Sequence, residues 1–380
     1  MSNKNKLRIG ILTIHAAINY GSMLQAYALQ HQLEAYAPED SVELIDYLPA
    51  CIMDQYSLNP LKNLHGVKNF LKYCVDFPSR RRRNRAFGSF AGDFFHTGAA
   101  YRTARQLEEH GDRWDICVLG SDQVWNPEIV EDDPSFWLEF AKNSWRASFA
   151  SSFGTTSIPD GYLARLVSAL QGFGNIAVRE PSAAQMLAGV EKPITVTCDP
   201  VFLLSAQEWE KLERKPREVP EHYIVLYTVQ RNEKLEELVK QTAAHYGIPV
   251  VDLGIRGNPK GYFGIHSPDY GPREFLYLIR HADYMATNSF HGTAFATIFG
   301  KKCASVLHRS RGTRIRELAE LADRSRYILP EDACAADMIR CLDEDREEDA
   351  SRLNRRIEES KQYLKQMLDC ARAAMPEKDK

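Results

Sequence analysis

The feature that most constrains the fold is an alternation of short apolar, β-branched runs with helical patterns. Residues 7–14 form a run typical of a buried strand, and residues 42–45 form the next one. A helix is predicted between them from Ser22, with Gln25 completing a capping box. Strand, helix and strand at this spacing make a βαβ unit, which belongs to a parallel sheet. We therefore predict an α/β fold.

The alternation continues in two series that a charged segment separates. Strand-like runs lie at residues 116–119, 147–153, 175–178 and 195–197, and then at 223–229, 250–253, 284–287 and 303–307. The intervening segment, 205–222, is charged and contains prolines, which indicates a domain boundary. We predict a Rossmann-like lobe over 1–210, a second over 222–330 and an amphipathic helix within 345–375. Two doubly wound lobes place a ligand cleft between them.

Residues 51–100 break this pattern. The segment mixes Pro60 and Pro78 with aromatic side chains and a dense group of arginines. One interpretation is a solvated, partly helical basic insertion in the first lobe. The other is a surface that meets anionic lipid or a phosphorylated acceptor. The arginines are Arg80, Arg81, Arg82, Arg83 and Arg85.

Composition excludes several classes of protein. Lys and Arg number 48 against 51 Asp and Glu, so the net charge of −3 excludes a generally basic nucleic-acid-binding protein. Hydrophobic residues make up 44% of the chain, and no apolar run approaches the roughly 18–20 residues of a membrane span. The eight cysteines form no Cys-x-x-Cys pair, so zinc and redox motifs are not indicated. We expect a cytoplasmic protein with free thiols, no secretory signal, no obligatory metal and no bound cofactor.

Polar clusters follow four of the predicted strands, at the ends where parallel sheets bind ligands. The first precedes a helix whose free N–H groups favour an anion, and Gly21 allows the tight turn before that helix. The second is so rich in polar side chains that we expect them to bind each other or a ligand. In it, Trp125 either belongs to the core or stacks on a sugar. The two clusters contain His15, Asn19, Tyr20, Gly21 and Ser22, and Gly120, Ser121, Asp122, Gln123, Trp125 and Asn126.

The third cluster is Arg179 with Glu180, directly after an apolar run. An arginine at a strand end can bind a carboxylate or phosphate with two parallel hydrogen bonds. The alternative is a local ion pair with Glu180 or with Asp199. Further arginines follow the last strand, either as phosphate ligands or as a solvated basic loop: Arg309, Arg311 and Arg314.

The fourth cluster, Asn288-Ser289-Phe290-His291-Gly292, is the most specific. If Ser289 caps the following helix, His291 lies in its first turn. There the helix dipole disfavours the imidazolium, so we predict a neutral ring that accepts or relays a proton. Gly292 is predicted to clear space for a substrate. The alternative is a structural histidine.

These motifs, in this order, resemble the polysaccharide pyruvyl transferase family. The resemblance runs over residues 9–316 and is interrupted by 51–100. Besides the four clusters, it rests on Gly10-Ile11-Leu12-Thr13, Leu24-Gln25-Ala26-Tyr27-Ala28-Leu29 and Asp199-Pro200-Val201.

The resemblance implies a fold similar to two-lobed GT-B-type glycosyltransferases, with the C-terminal helix packing back on the first lobe. It implies a reaction in which phosphoenolpyruvate and two hydroxyls of one sugar give a pyruvate ketal and phosphate, in cell-surface polysaccharide synthesis. The implied partners are phosphoenolpyruvate and a saccharide acceptor, free or lipid-linked, with peripheral contact to an anionic membrane and no nucleic acid.

The resemblance also implies roles for individual residues. The family's histidine before a glycine matches His291, and its arginine after the mid-chain strand matches Arg179. Because the implied reaction needs an acid/base, we choose His291 for that role, and we expect Arg179 and Arg314 to bind the donor. The remaining predicted substrate-binding residues are Asn19, Tyr20, Gly21, Ser22, Asp122, Gln123, Asn288, Ser289 and Gly292. One position departs from the family, because better-known members carry an Arg where this chain has Ser289. That Arg is expected to hold the donor's anionic groups, so Arg179 or Arg314 must compensate.

Two other functions remain open at the level of sequence. A glycosyltransferase of the same two-lobed architecture would use a nucleotide sugar and bind a nucleoside diphosphate in the second lobe. A non-catalytic sugar-binding relative would keep the fold without turnover. The intact His291 argues against the non-catalytic relative, whereas Ser289 argues for it.

Overall fold

The first lobe is built on a parallel sheet with the strand order β2-β1-β3-β4, described here from a computed structural model. The structure describes residues 6–56, 67–155, 157–254, 265–267, 269–307 and 312–375. Bridges Ala147–Asn175 and Ser151–Val178 continue the sheet from β4 to the parallel pair β5-β6. The strands are β1 (Arg8–Leu12), β2 (Ser41–Leu44), β3 (Ile116–Leu119), β4 (Trp145–Ser148), β5 (Ile176–Val178) and β6 (Ile194–Val196).

The second lobe carries a five-stranded sheet in the order β11-β10-β9-β7-β8, again with every pair parallel. Its central strands are buried except for the partly buried Tyr284, as expected of a sheet with helices on both faces. The strands are β7 (Ile224–Tyr227), β8 (Val250–Asp252), β9 (Tyr284–Thr287), β10 (Cys303–Val306) and β11 (Ile328–Leu329).

Helices connect the strands and cover both sheets. In the first lobe they are α1 (Tyr20–Tyr36), α2 (Ala50–Met53), α3 (Val67–Phe94), α4 (Ala104–Glu108), α5 (Pro127–Val130), α6 (Asp160–Leu170), α7 (Pro181–Met186) and α8 (Ala206–Glu210). In the second they are α9 (Glu233–Tyr246), α10 (Pro272–His281), α11 (Phe290–Ile298), α12 (Thr313–Leu321) and α13 (Ala335–Asp343). The C-terminal helix α14 (Ser351–Ala374) follows the second lobe. Among the described residues, no helix is long and apolar enough to cross a membrane.

Helix α1 begins two residues before the predicted start at Ser22. Asn19 is the N-cap, because its side-chain oxygen accepts hydrogen bonds from the backbone N–H groups of Gly21 and Ser22. Gln25 does not complete a capping box; its amide donates to Thr13 Oγ1 and to the carbonyl of Ser22. The predicted box is therefore wrong, and the polar side chain of Gln25 instead ties α1 to the end of β1.

The segment 51–100 contains a helix of 28 residues, α3, that joins the two lobes. Phe87 and Phe90 are buried in the core, and the buried guanidinium of Arg83 donates to the carbonyl of Gly254 in the second lobe. The segment is partly helical, as predicted, but it is not solvated throughout, because one face of α3 is packed. The other arginines of the run, Arg80, Arg81, Arg82 and Arg85, are exposed.

The C-terminal helix, α14, contacts the first lobe along most of its length. Ser360 Oγ accepts a hydrogen bond from the backbone N–H of Cys198 at 2.8 Å. Tyr363 donates its hydroxyl to the carbonyl of Ser148 at 2.9 Å, and Arg372 forms an ion pair with Asp40. Helix α14 thus braces the first sheet from a position that follows the whole second lobe in sequence.

One of three hydrophobic core clusters of the described residues extends across both lobes. It includes Leu24 and Leu29 of α1 together with Val225, Phe275 and Phe295 of the second lobe. At its centre the ring of Tyr20 stacks on Phe275 with 4.4 Å between centroids, and the Tyr20 hydroxyl donates to the carbonyl of Tyr270. The lobes are therefore packed against each other near the carboxyl ends of their strands.

Candidate active site between the lobes

Charged side chains from both lobes meet at the carboxyl ends of the strands. Arg179 follows β5 and donates to Glu180 Oε1 at 2.9 Å and to Asp199 Oδ2 at 2.7 Å. His291, from α11 of the second lobe, places Nε2 at 3.5 Å from the same Asp199 oxygen. Both ion pairs predicted as the alternative for Arg179 are therefore present. Asp199 links the arginine of one lobe to the histidine of the other.

Asp199 is almost completely buried, and its charge depends on these neighbours. Burial alone would raise the pKa of Asp199, but His291 and Arg179 hold it well below its usual range. The Asp199 side chain also caps the turn at Pro200–Leu203, accepting from the backbone N–H of Val201, and it accepts from Ser121 Oγ. Asp199 is thus an ionised carboxylate in a fixed position beside the imidazole.

Two guanidinium groups at the site keep unused hydrogen-bonding capacity. Arg179 is 6% exposed, and its Nη2 is buried without a hydrogen-bond partner among the described residues. Burial opposes the charge of Arg179, but Glu180 and Asp199 raise its pKa above the usual value. Arg314 of α12 has no hydrogen bond or ion pair to the described parts of the chain, and burial and Arg179 lower its pKa. A buried guanidinium N–H without a partner costs free energy, and an anion bound beside it would remove that cost.

His291 lies in the first turn of α11, as predicted, and Ser289 is the N-cap, accepting from the backbone N–H of Gly292 at 3.3 Å. The imidazole is 8% exposed and rests on the first turn of α1. A Cβ added to Gly21 would lie 2.0 Å from His291 Nδ1. Gly21 therefore allows the close approach of the histidine. The neutral state of the ring stays a prediction.

Ser22, Asp122 and Gln123 lie on the first-lobe side of the site. Ser22 Oγ donates to Asp122 Oδ2 at 2.5 Å, and Asp122 Oδ1 accepts from the backbone N–H of Gln123. The backbone of Asp122 is left-handed, with φ of 72°, which Asp tolerates better than most side chains. Gln123 Oε1 accepts from Asn126 Nδ2 at 2.9 Å. As predicted for this cluster, the polar side chains bind each other.

Several predicted binding residues instead maintain the local structure. Asn19 caps α1, and Tyr20 is fully buried between the lobes, so neither side chain is free for a substrate. Asn288 bridges the turn after β7, accepting from the N–H of Val229 and donating to the carbonyl of Gln230.

Two interpretations of apolar or small residues are wrong. The space beside Gly292 is filled by Thr287 Oγ1, 2.3 Å from where a Cβ would stand, and by Tyr227, so this glycine admits protein atoms rather than substrate. Trp125 is 0% exposed and donates its indole N–H to the carbonyl of Phe136, which excludes sugar stacking. Of the basic loop, Arg309 and Arg311 lie outside the described residues.

A family model for polysaccharide pyruvyl transferases matches residues 19–310, which is more than three quarters of the chain. The chain belongs to the polysaccharide pyruvyl transferase family. The match begins at the cap of α1 and includes every part of the site described above except Arg314. A comparison with curated proteins gives no significant match.

Solved structures with the same architecture include sugar-nucleotide epimerases. The UDP-GlcNAc 2-epimerase of Methanocaldococcus jannaschii, in complex with UDP-GlcNAc and UDP, has 13% identity and a TM-score of 0.56, over 96% of this chain and 99% of that one. The UDP-N-acetylglucosamine 2-epimerase of Rickettsia bellii has 12% identity and a TM-score of 0.52, over 97% of each chain. The predicted two-lobed GT-B-type α/β fold is confirmed.

Glu317, on α12 one turn after Arg314, is a member of the site that the sequence motifs did not indicate. Its Oε2 is buried and has no hydrogen-bond partner among the described residues. Burial raises the pKa of Glu317 to about 7, Glu180 and Glu320 act in the same direction, and Arg314 acts against them. In the sequence, Glu317 could have been found from its spacing, because it follows Arg314 by three residues and therefore lies on the same side of the helix.

We expect the variant Glu317→Gln to gain stability over the parent protein as the pH rises. The folded protein holds the Glu317 proton between the ordinary pKa of 4.5 and about 7, so this favourable contribution is complete below 4.5 and is lost through 7. The melting temperatures of both proteins should be compared at about pH 5 and about pH 8. Glu347→Gln, at an exposed position, is the control. An unchanged difference between the two pH values would contradict the assignment.

In the described parts of the chain, no group of three or more His, Cys, Asp or Glu side chains is arranged to hold a metal ion. The charges at the site are instead balanced between arginines, a histidine and carboxylates. This arrangement can bind an anion through Arg179 and Arg314, and it can move a proton at His291. Anion binding and proton transfer therefore both use residues of the site described above.

Proposed function

We propose that the protein transfers the enolpyruvyl-derived group of phosphoenolpyruvate to two hydroxyls of a sugar, forming a pyruvate ketal. The observation that carries this proposal is the position of Arg179 and Arg314 beside the His291–Asp199 pair. The guanidinium groups of both arginines are not fully hydrogen-bonded within the described chain. An anionic donor would satisfy the guanidinium N–H groups, and the histidine would manage the protons.

The donor carries about three negative charges, so cations must bind it. Ser289 cannot take the place of the family's arginine in this respect, because its hydroxyl caps α11. Arg179 offers its free Nη2, and its other nitrogens are held by Glu180 and Asp199, so the guanidinium is already oriented. Arg314 offers a guanidinium that forms no ion pair with the described residues, although Glu180, Asp122 and Asp199 favour its charge from a distance. We assign these two arginines to the donor's phosphate and carboxylate.

The chemistry requires two proton movements. Protonation of the donor's methylene carbon gives an electron-poor C2, which one sugar hydroxyl attacks; the second hydroxyl then displaces phosphate as the C2–O bond breaks. One hydroxyl proton thereby ends on the new methyl group and the other on phosphate. We assign to His291 the removal of a hydroxyl proton and its return to the leaving phosphate. Asp199 would stabilise the imidazolium between these steps, as the carboxylate of a Ser-His-Asp triad does.

The test is to incubate the protein with phosphoenolpyruvate and a panel of saccharides that carry neighbouring hydroxyl pairs. We expect phosphate release that depends on the saccharide, together with a new ketal methyl signal in the proton spectrum of the product. Phosphate release without a ketal signal would indicate hydrolysis. Absence of both with every acceptor, while a saccharide still binds, would favour a non-catalytic sugar-binding protein.

A nucleotide-sugar-dependent glycosyltransferase is the second candidate, because the structural neighbours include epimerases solved with UDP-GlcNAc and UDP. The two functions differ in which ligand occupies the site. The two functions can be distinguished by measuring the melting temperature of the protein with phosphoenolpyruvate, with UDP-GlcNAc and with both ligands in competition. Stabilisation by phosphoenolpyruvate alone supports the pyruvyl transferase, and stabilisation by the nucleotide sugar alone overturns it.

We further propose that the enzyme acts in the cytoplasm and meets a lipid-linked acceptor at the membrane through the exposed arginines of α3. Vesicles with anionic lipid should then bind the protein, and salt should weaken the binding, because screened surface charges carry it. Replacing Arg81 and Arg85 by Ala should reduce the binding to these vesicles. The control is the replacement of Arg105 by Ala, at an exposed position on α4, which should leave the binding unchanged. Equal binding to neutral vesicles would exclude this role.

A further inference from the structure

The ring of Phe290 contacts three of the charged side chains at the site. The guanidinium carbon of Arg179 lies 4.5 Å from the ring centroid, and that of Arg314 lies 6.0 Å from it. The imidazole of His291 meets the same ring edge to face, with 5.3 Å between centroids. Phe290 is the first residue of α11 and is half-buried, so its backbone is fixed by the Ser289 cap. No other ring of the described chain has two guanidinium groups from different lobes over it within the site.

The two arginines depend on this ring to different degrees. Arg179 is also held by the carboxylates of Glu180 and Asp199. Arg314 forms no hydrogen bond or ion pair with the described residues, and its guanidinium lies over the ring. The face of a benzene ring carries negative partial charge, so it attracts a guanidinium without neutralising it. A carboxylate in the same place would compete with an incoming anion, whereas the ring leaves the guanidinium N–H groups free.

The positive charges of Arg179 and Arg314 repel each other. The pKa of Arg314 is lowered by burial and by the charge of Arg179, so the two guanidinium groups do interact. A ring that attracts both offsets part of the repulsion and limits the rotamers of the long Arg314 side chain. Less rotational freedom is then lost when an anion binds, which is the usual benefit of a preorganised site.

We propose that Phe290 is a positioning residue that sets the spacing of Arg179 and Arg314 for an anion. The proposal rests on the proposed function only in assigning that anion to the donor. It concerns binding rather than proton transfer. The affinity for inorganic phosphate should therefore depend on an aromatic ring at position 290, and the KM for phosphoenolpyruvate should change more than kcat.

The experiment measures the affinity for inorganic phosphate by calorimetry in four variants. Phe290→Leu and Phe290→Met keep an apolar side chain and remove the ring, and Phe290→Tyr restores it. Phe299→Leu makes the same substitution at the other end of α11, away from the arginines. We expect the Leu and Met variants to bind phosphate about tenfold more weakly, in line with the loss of cation–π contacts, and the Tyr variant to bind nearly as tightly as the parent. Melting temperatures show whether each variant is folded.

Several outcomes would overturn the proposal. These are unchanged phosphate affinity in a folded Leu or Met variant, weaker binding in Phe299→Leu to the same extent, no recovery in the Tyr variant, or a parent protein that binds no phosphate. The proposed function fails separately. If the parent protein binds phosphate through Phe290 but forms no ketal from phosphoenolpyruvate, the positioning role stands and the pyruvyl transferase does not.

Discussion

Replacing His291 by Ala is expected to lower the rate of ketal formation by about 10²–10⁴-fold, the weight of one positioned acid/base group. The fold should survive, because Asp199 keeps its hydrogen bonds to Arg179 and Ser121 when the imidazole is removed. Thermal melting and phosphate release should be measured side by side for this variant. The loss should appear in kcat, with the affinity for inorganic phosphate retained.

The control for this variant is His245→Ala, since His245 is exposed on α9 and distant from the site motifs. It should leave both measurements unchanged. If His291→Ala unfolds the protein, the histidine has a structural role, because its ring packs against Gly21 of α1. If turnover stays near the parent's value, the acid/base must be sought at Glu317 or Asp122.

The variant Arg179→Ala should lose stability as well as donor affinity. Arg179 pairs with two buried carboxylates, and removing one partner of a buried ion pair costs about 3–5 kcal/mol because a buried charge is left behind. In any population that remains folded, loss of a charge-assisted hydrogen bond should weaken phosphoenolpyruvate binding by about 1.5–3 kcal/mol. Urea unfolding and calorimetric titration measure the two effects.

Arg165→Ala provides the matched control. Arg165 forms a two-pronged ion pair with Asp132, but both side chains are more than half exposed, so water screens the pair. Its loss should cost no more than about 1 kcal/mol. Equal destabilisation by the two substitutions would mean that burial is not what gives the Arg179 pairs their weight. Unchanged donor affinity in Arg179→Ala would leave Arg314 alone as the donor's cation.

The sequence predicted the strands well because buried parallel strands are continuous apolar runs bounded by polar turns. Ile116–Leu119 and Tyr284–Thr287 match the predicted bounds to the residue. The cap of α11 was also predicted, since Ser289 precedes an apolar helix and capping depends only on neighbours in the chain. The start of α1 was missed because Asn19 and Ser22 are both good caps, and local pattern does not decide between them.

Contacts between the two lobes were beyond the sequence patterns. Asp199 meets His291 across the two lobes, and the motif containing Asp199 gave no sign of that pairing. Gly292 shows a second kind of limit, since a glycine marks a close approach but not what approaches. Arg83 shows a third. It belongs to a run of arginines that looks uniformly exposed, yet helical geometry turns this one residue toward the second lobe.

The core that joins Tyr20 to Phe275 and Leu24 to Phe295 makes the two lobes one thermodynamic unit. Neither half of the chain could fold alone without exposing a wide aromatic surface to water. The charged segment 205–222 therefore separates the two lobes in the sequence pattern, but it does not separate two units that unfold independently. Because α1 and α11 meet directly at Gly21 and His291, a shift that parts the lobes would also separate His291 from Asp199. The geometry of the candidate site and the global fold are therefore gained and lost together.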